Sequence, residues 1–368
     1  MKRIIIFLTV MALLAGLPEV LLCQNNPPGP LPALGSAKAK TAATRPPRYG
    51  SIRMPRWNPD GGKVAFVYDV GGNPEIFLVD SDGTKVKNVS RSPSEDTNPV
   101  WSPDGKTLLF TSFRKGKYEI CRTDREGSKV VCGQSKGDDL WPSWSPDGKT
   151  IAFCNYEKGT PFVYFMDADG KNRKKYFDKP SCYPSFSKDG KRLAVASEGD
   201  IIVITLKNGK RKNVTEPLIE GNAVDDSFPV WAPKGDRLAF IGTFEANSAE
   251  IYTISGAGKK IRRLSDNLFE DFLPSWEPKG KGVLYSGFVS GRPPEIFVSE
   301  VEGPIRQRLT NNNVMEMSPQ FSPDGQKILY IVRIRAEDEL YIMNADGKDP
   351  RPFMKSKLPT VEQMRQTR

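Results

Sequence analysis

The sequence predicts an all-β protein, a seven-bladed β-propeller with four antiparallel strands per blade. Three observations carry that expectation. First, one short unit recurs seven times, at residues 55–61, 99–105, 142–148, 184–190, 229–235, 274–280 and 319–325. In each copy a Pro stands two residues before an aromatic ring and six before a Gly, as in Pro99-Val100-Trp101-Ser102-Pro103-Asp104-Gly105. Second, the rings at Trp57, Trp101, Trp144, Phe186, Trp231, Trp276 and Phe321 are spaced by 44, 43, 42, 45, 45 and 45 residues, the period of a four-stranded propeller blade. Third, Gly 32 and Pro 31 are spread along the 368 residues and punctuate many short elements, and no helical periodicity competes over the repeats.

Taken from the N-terminus, residues 1–23 read as a signal peptide. Lys2 and Arg3 precede an apolar run from Ile4 to Leu17 that Pro18 and Glu19 interrupt. A run of that length is short for a membrane span. Val20-Leu21-Leu22-Cys23 approaches a bacterial lipobox, with Leu22 where that pattern wants a small residue. Cleavage with secretion, lipidation at Cys23 and retention as an anchor are the alternatives. Residues 24–47 are rich in Pro, Ala and Lys, have almost no bulky apolar side chains and read as a disordered linker. The propeller is expected over 48–354, followed by a polar tail at 355–368.

The second copy shows how a repeat becomes a blade. Strand A ends at Trp101, and Ser102-Pro103-Asp104-Gly105 turns the chain, Pro presetting φ and Gly supplying a positive φ. Residues 107–112 give strand B, 118–122 strand C and 129–132 strand D, with a second turn at Asp124-Arg125-Glu126-Gly127. Turns of the form Asp80-Ser81-Asp82-Gly83 lack the distal Glu of a calcium loop and fit hairpins instead. The segment from Tyr49 to Met54 is expected to help close the ring.

Composition excludes several chemistries. The chain has His 0, so no Ser-His-Asp or Cys-His nucleophile can be assembled. Five Cys without a CxxC pair do not make a zinc site, and any bound metal has to be a hard cation held by oxygens. No cofactor is implied, and no metal ligands are assigned. Lys plus Arg 54 against Asp plus Glu 44 gives a net +10, but the cations are scattered and give no nucleic-acid footprint.

The repeat resembles that of TolB-type (WD40-like) propellers. The match rests on Trp144-Ser145-Pro146-Asp147-Gly148-Lys149 with Ile151-Ala152-Phe153, on Glu250-Ile251-Tyr252, and on Leu309-Thr310. It runs from about residue 51 to 350. TolB looks like an α/β domain followed by six blades, whereas this chain reads as a tether followed by seven and as lacking that domain. The resemblance implies a periplasmic scaffold whose propeller face binds a peptidoglycan-associated lipoprotein. Similar propellers gate prolyl-oligopeptidase-like enzymes, but no GxSxG is present here, and oligogalacturonate lyases use a His in their metal site.

Aligning the copies on their Pro exposes a candidate binding site. Three residues before it stand Ile52, Asp96, Asp139, Ser181, Asp226, Asp271 and Glu316, and one earlier stand Glu95, Asp138, Asp225 and Glu270. Asp96, Asp139, Asp226, Asp271 and Glu316 are expected to ring one mouth of the central channel. There they would meet a cation or a basic partner, or else accept hydrogen bonds from loop amides. Two disulfide pairings are open in an exported protein, Cys121–Cys132 and Cys154–Cys182, with buried free thiols as the alternative. Asn88-Val89-Ser90 and Asn213-Val214-Thr215 match glycosylation sequons but fall where the repeat ends strand D. The expected function is that of an exported, periplasmic or secreted protein-binding scaffold, a monomer without a catalytic assignment. Its partner would be an envelope protein or lipoprotein, and any membrane contact would run through the N-terminal segment. The alternatives are a propeller enzyme acting on a saccharide or peptide at an acidic channel mouth, and a purely structural envelope protein.

Overall fold

Strand B is apolar at consecutive positions, and packing explains why. Leu108 and Phe110 face blade 1, in a cluster with Ala65, Val67, Ile76 and Leu78, while Leu109 faces blade 3, against Ile151 and Phe153. Successive side chains point to opposite faces of a sheet, so a strand covered on both sides must be apolar throughout. Equivalent clusters join blades 3 and 4, 4 and 5, and 6 and 7, and a further one joins blade 7 back to blade 1.

The computed structural model describes residues 50–69, 71–215, 225–244, 248–265, 272–289, 291–335, 337–359 and 363. Among these, seven antiparallel sheets form, each of four strands consecutive in the chain. In blade 2 the strands are Asp96–Trp101, Thr107–Arg114, Lys117–Asp124 and Val131–Cys132. Strand A of the other blades is Ser51–Trp57, Asp138–Trp144, Cys182–Phe186, Asp225–Trp231, Phe272–Trp276 and Met315–Phe321. Each strand A touches strand A of the next blade, and the last touches the first, so the seven form a closed ring around a central channel. The expected all-β, seven-bladed fold is what the chain adopts.

The turns follow their chemistry. Ser102 Oγ accepts from the Thr107 amide at 2.9 Å and donates to Asp104 Oδ1 at 2.6 Å, and Gly105 has φ 68°. Ser145, Ser187 and Ser322 repeat the arrangement. The Asp-x-Asp-Gly turns are also self-contained: Asp82 Oδ1 accepts from both the amide and the hydroxyl of Thr84. The strand D edges are short and basic, as at Lys174–Lys175 and Lys210–Asn213, which blunts edge-to-edge pairing. Several edge cations also strap neighbouring blades. Lys87 donates to the Glu126 carbonyl, Lys212 to that of Ala257, and Arg262 to those of Val301 and Gly303.

The segment expected to help close the ring does so, without lending a strand to blade 7. All four strands of blade 7 come from its own segment, Met315–Phe321 to Arg351–Pro352, so the N-terminal stretch does not complete it. Residues 51–57 instead form strand A of blade 1. They meet blade 7 through the Ile52 amide on Asp338 Oδ2 at 3.0 Å and the Asp338 amide on the Gly50 carbonyl at 3.3 Å. On the rim the Lys355 amide donates to the Gly83 carbonyl at 2.9 Å. Gly83 has φ 82°, and a Cβ there would lie 2.0 Å from the Phe353 carbonyl oxygen, so the seam requires glycine.

The cysteine question is settled by register. Cys121 and Cys132 are cross-strand partners on strands C and D of blade 2 and form a disulfide. Cys154 on strand B of blade 3 lies against strand A of blade 4, and its disulfide to Cys182 spans 5.2 Å between Cα atoms. Both sequons are used structurally: Ser90 and Thr215 are buried and accept from the Ile76 and Ile201 amides.

Candidate functional site

The site is built on strand A. In every blade its pairing with strand B shifts register at one place, just before the repeated Pro. Pro brings no N–H to the ladder and is tolerated at such a bulge. The residue before it swings into the left-handed region, with φ 52° at Met54, 54° at Asn98, 56° at Trp141, 53° at Tyr183, 51° at Phe228 and 53° at Ser318. Each such non-glycine residue costs about 1–3 kcal/mol and must be held by its surroundings.

The bulge carries these side chains to the axis. Trp141 of blade 3 meets Tyr183 of blade 4 at 5.3 Å and Phe228 of blade 5 at 5.6 Å between ring centroids, and Tyr183 meets Phe228 at 4.0 Å. Blades 3 and 5 are not neighbours, so rings from both can touch only by converging on the channel. Two residues further along, the partly exposed side chains of Arg56, Ser143, Ser185, Val230, Ser275 and Gln320 line the wall. Their strands are stitched together there. Trp101 Nε1 donates to the Arg56 carbonyl at 3.2 Å, Trp276 Nε1 to that of Val230 at 2.9 Å, and the Trp231 amide to Ser185 Oγ at 3.3 Å.

The acids lie at the other end of strand A and are buried: Asp96 and Asp139 are 0 % exposed, Glu316 2 % and Asp226 4 %. None presents its carboxylate to solvent. The reason is the seam between blades. The Asp226 amide donates to the Gly199 carbonyl and the Glu316 amide to that of Pro294, each in the preceding blade, which draws these positions between the sheets. Asp139 accepts from Ser135 Oγ at 2.9 Å and Asn155 Nδ2 at 2.7 Å, and pairs with Arg173. Glu316 accepts from Asn312 at 2.9 Å. Burial pushes the Asp96 carboxyl up to about 6, against the lowering pull of the Ser112 and Ser90 hydroxyls and Arg114. Burial also raises Asp139 and Glu316. Among the accompanying acids, Asp138 Oδ1 accepts from the Tyr118 amide at 2.8 Å and Glu95 accepts from the Tyr118 hydroxyl at 3.0 Å. Asp225 begins strand A of blade 5, whereas Glu270 and Asp271 lie outside the described residues.

The sequence reading missed a second set of acids, on strand C. Glu75, Glu250 and Glu295 are buried and take Asn88, Arg263 and Arg308 from strand D of the same blade. The recurrent Glu-Ile of strand C was the signal. It also missed the bulge column and Arg56, legible as the residues flanking each Pro. Among the described residues no group of three or more His, Cys, Asp or Glu is arranged to hold a metal.

Fold and site together define a closed seven-bladed propeller with rings of blades 3, 4 and 5 converging on its channel. Residues 36–161 match the family model described as the TolB beta propeller domain. Among solved structures the chain is similar to a putative TolB from Agrobacterium tumefaciens, with 21 % identity and a TM-score of 0.52 over 71 % of this chain and 94 % of that one. It is similar to the β-propeller domain of the trilobed protease from Pyrococcus furiosus, described as having an open velcro topology, with 15 % identity and a TM-score of 0.63 over 84 % of this chain and 100 % of that one. An oligogalacturonate lyase in complex with manganese matches with 14 % identity and a TM-score of 0.58 over 87 % and 90 %. Identities this low carry the fold and nothing of activity. No curated protein matches the chain in sequence. Among the described residues no helix is long and apolar enough to cross a membrane.

Proposed function

We propose that the protein is an exported, monomeric binding scaffold of the cell envelope, and that a protein partner docks at the channel. The observation that supports it best is the channel wall itself. Strained backbone at the bulges delivers the Trp141, Tyr183 and Phe228 rings to the axis, beside the solvent-reached side chains of Arg56, Ser143, Ser185, Val230, Ser275 and Gln320. Anchoring pockets for protein segments have this aromatic and polar mixture. Export is supported by the charged-then-apolar N-terminal segment and by two disulfides, which persist in oxidising compartments. In this reading the buried Asp96, Asp139, Asp226 and Glu316 contribute to partner binding from behind the wall, and Asp139 does so by holding Ser135, Asn155 and Arg173.

The test is site-specific photocrosslinking in intact cells. A photoreactive residue at Val230, 37 % exposed on the channel wall, should capture one discrete envelope protein, and one at Val131, 41 % exposed on the rim, should not. Capture from the rim alone, or from neither position, overturns the reading.

A further inference from the structure

Arg56 is the one cation among the wall residues just described, and it lacks the carboxylate that several other enclosed arginines have. Arg173 is paired with Asp139, Arg308 with Glu295, Arg333 with Asp338 and Arg192 with Asp236. Among the described residues Arg56 has no carboxylate partner. Its guanidinium makes one hydrogen bond, Nη1 to the carbonyl of its own neighbour Pro55 at 3.1 Å. The group is enclosed, and burial alone lowers its pKa to about 10, yet the side chain is still reached by solvent. Unlike Arg262, which reaches two carbonyls of the next blade, Arg56 has only its own neighbour's carbonyl, and an enclosed charge without a counter-ion is costly. Hydroxyl donors of Ser143 and Ser275 stand at the equivalent wall positions, and the Trp141, Tyr183 and Phe228 rings lie one step along the channel.

We propose that the channel at Arg56 binds a carboxylate carried beside an apolar group. The planar guanidinium takes the two oxygens as a bidentate pair, the wall hydroxyls donate to them, and the apolar group lies toward the aromatic rings. The inference rests on the channel being the partner-binding surface, and it names the chemistry of the segment recognised there. A chain-terminal carboxylate and an acidic side chain offer the same group; the aromatic neighbours favour a terminal apolar residue.

The experiment is calorimetric titration of the purified protein with N-acetylphenylalanine, N-acetylphenylalaninamide and N-acetylaspartate amide. The free acid should bind, the amide at least about tenfold more weakly, the difference expected of one charge-assisted contact. The aspartate derivative distinguishes a side-chain acid from a terminal one by its own affinity. Arg56→Gln should lose the preference for acid over amide and Arg56→Lys should keep part of it, each with an unchanged circular dichroism spectrum. Equal affinity of wild type for acid and amide, or no binding of either, overturns the proposal even if Arg56→Gln fails to fold. Because the probes are small molecules, this outcome is separate from whether Val230 captures a protein.

Discussion

Neutralising Asp96 by Asp96→Asn should remove a specific pH dependence of stability. The carboxyl is fully buried between blades 1 and 2, and burial raises its pKa from 3.8 to about 6. The Ser112 and Ser90 hydroxyls and Arg114 oppose that rise, and Glu75 adds to it. A carboxyl with a raised folded pKa holds its proton more tightly when folded than when unfolded. Its contribution is therefore most favourable below about pH 4 and is lost as pH rises through about 6. Two units correspond to roughly 3 kcal/mol, the destabilisation that ionised Asp96 exerts at neutral pH. Urea unfolding at pH 4, 5, 6, 7 and 8 measures it. Wild type should lose stability relative to Asp96→Asn between about pH 4 and 6, and the variant should be the more stable by up to roughly 3 kcal/mol above that window. Parallel curves for the two proteins, or a variant less stable at pH 8, would show that Asp96 is held as a well-satisfied carboxylate and refute the argument.

Gly83→Ala puts a methyl into the Phe353 carbonyl at the junction of blades 7 and 1, so it should lower the urea midpoint and speed proteolysis of residues 353–359, whereas Gly116→Ala, with open space around it, should cost only its turn strain. Opening the Cys154–Cys182 bridge with a double Ser variant should destabilise by about 3.6 kcal/mol on the loop-entropy relation and opening Cys121–Cys132 by about 2.8, read as the difference in unfolding free energy. Alkylation of the denatured protein without reductant should label none of these four cysteines. Mass spectrometry of the protein from its own cells should show an N-terminus beyond residue 15, free or lipidated at Cys23; an intact Met1 contradicts export.

Much of the fold was legible because each blade repeats one physical solution. Pro-x-Trp ends strand A, Ser-Pro-Asp-Gly forces the turn, and the two-faced burial of strand B appears directly as Leu108-Leu109-Phe110. What sequence could not supply was register. Whether Cys154 reaches Cys182 depends on how one blade seats on the next. The acids mislead for the same reason: their column sits at one end of the channel strand, but there the blades close on one another, as the Asp226 and Glu316 amides show by donating to the preceding blade. The bulge is the least legible feature. A residue before Pro ordinarily takes an extended conformation, and Tyr183 or Phe228 in the left-handed region is visible only once the ladder shifts.

The proposed scaffold role requires the partner to bind at the channel. Affinity of the crosslinked partner, once purified, for wild type, Val230→Asp and Val131→Asp tests this most directly, since both positions are exposed and neither substitution disturbs the core. Val230→Asp should weaken binding by at least about tenfold, the loss of a central apolar contact with a charge in its place, while Val131→Asp leaves it unchanged. Equal affinities for all three proteins, or a loss confined to Val131→Asp, would place the partner on the rim and contradict the account.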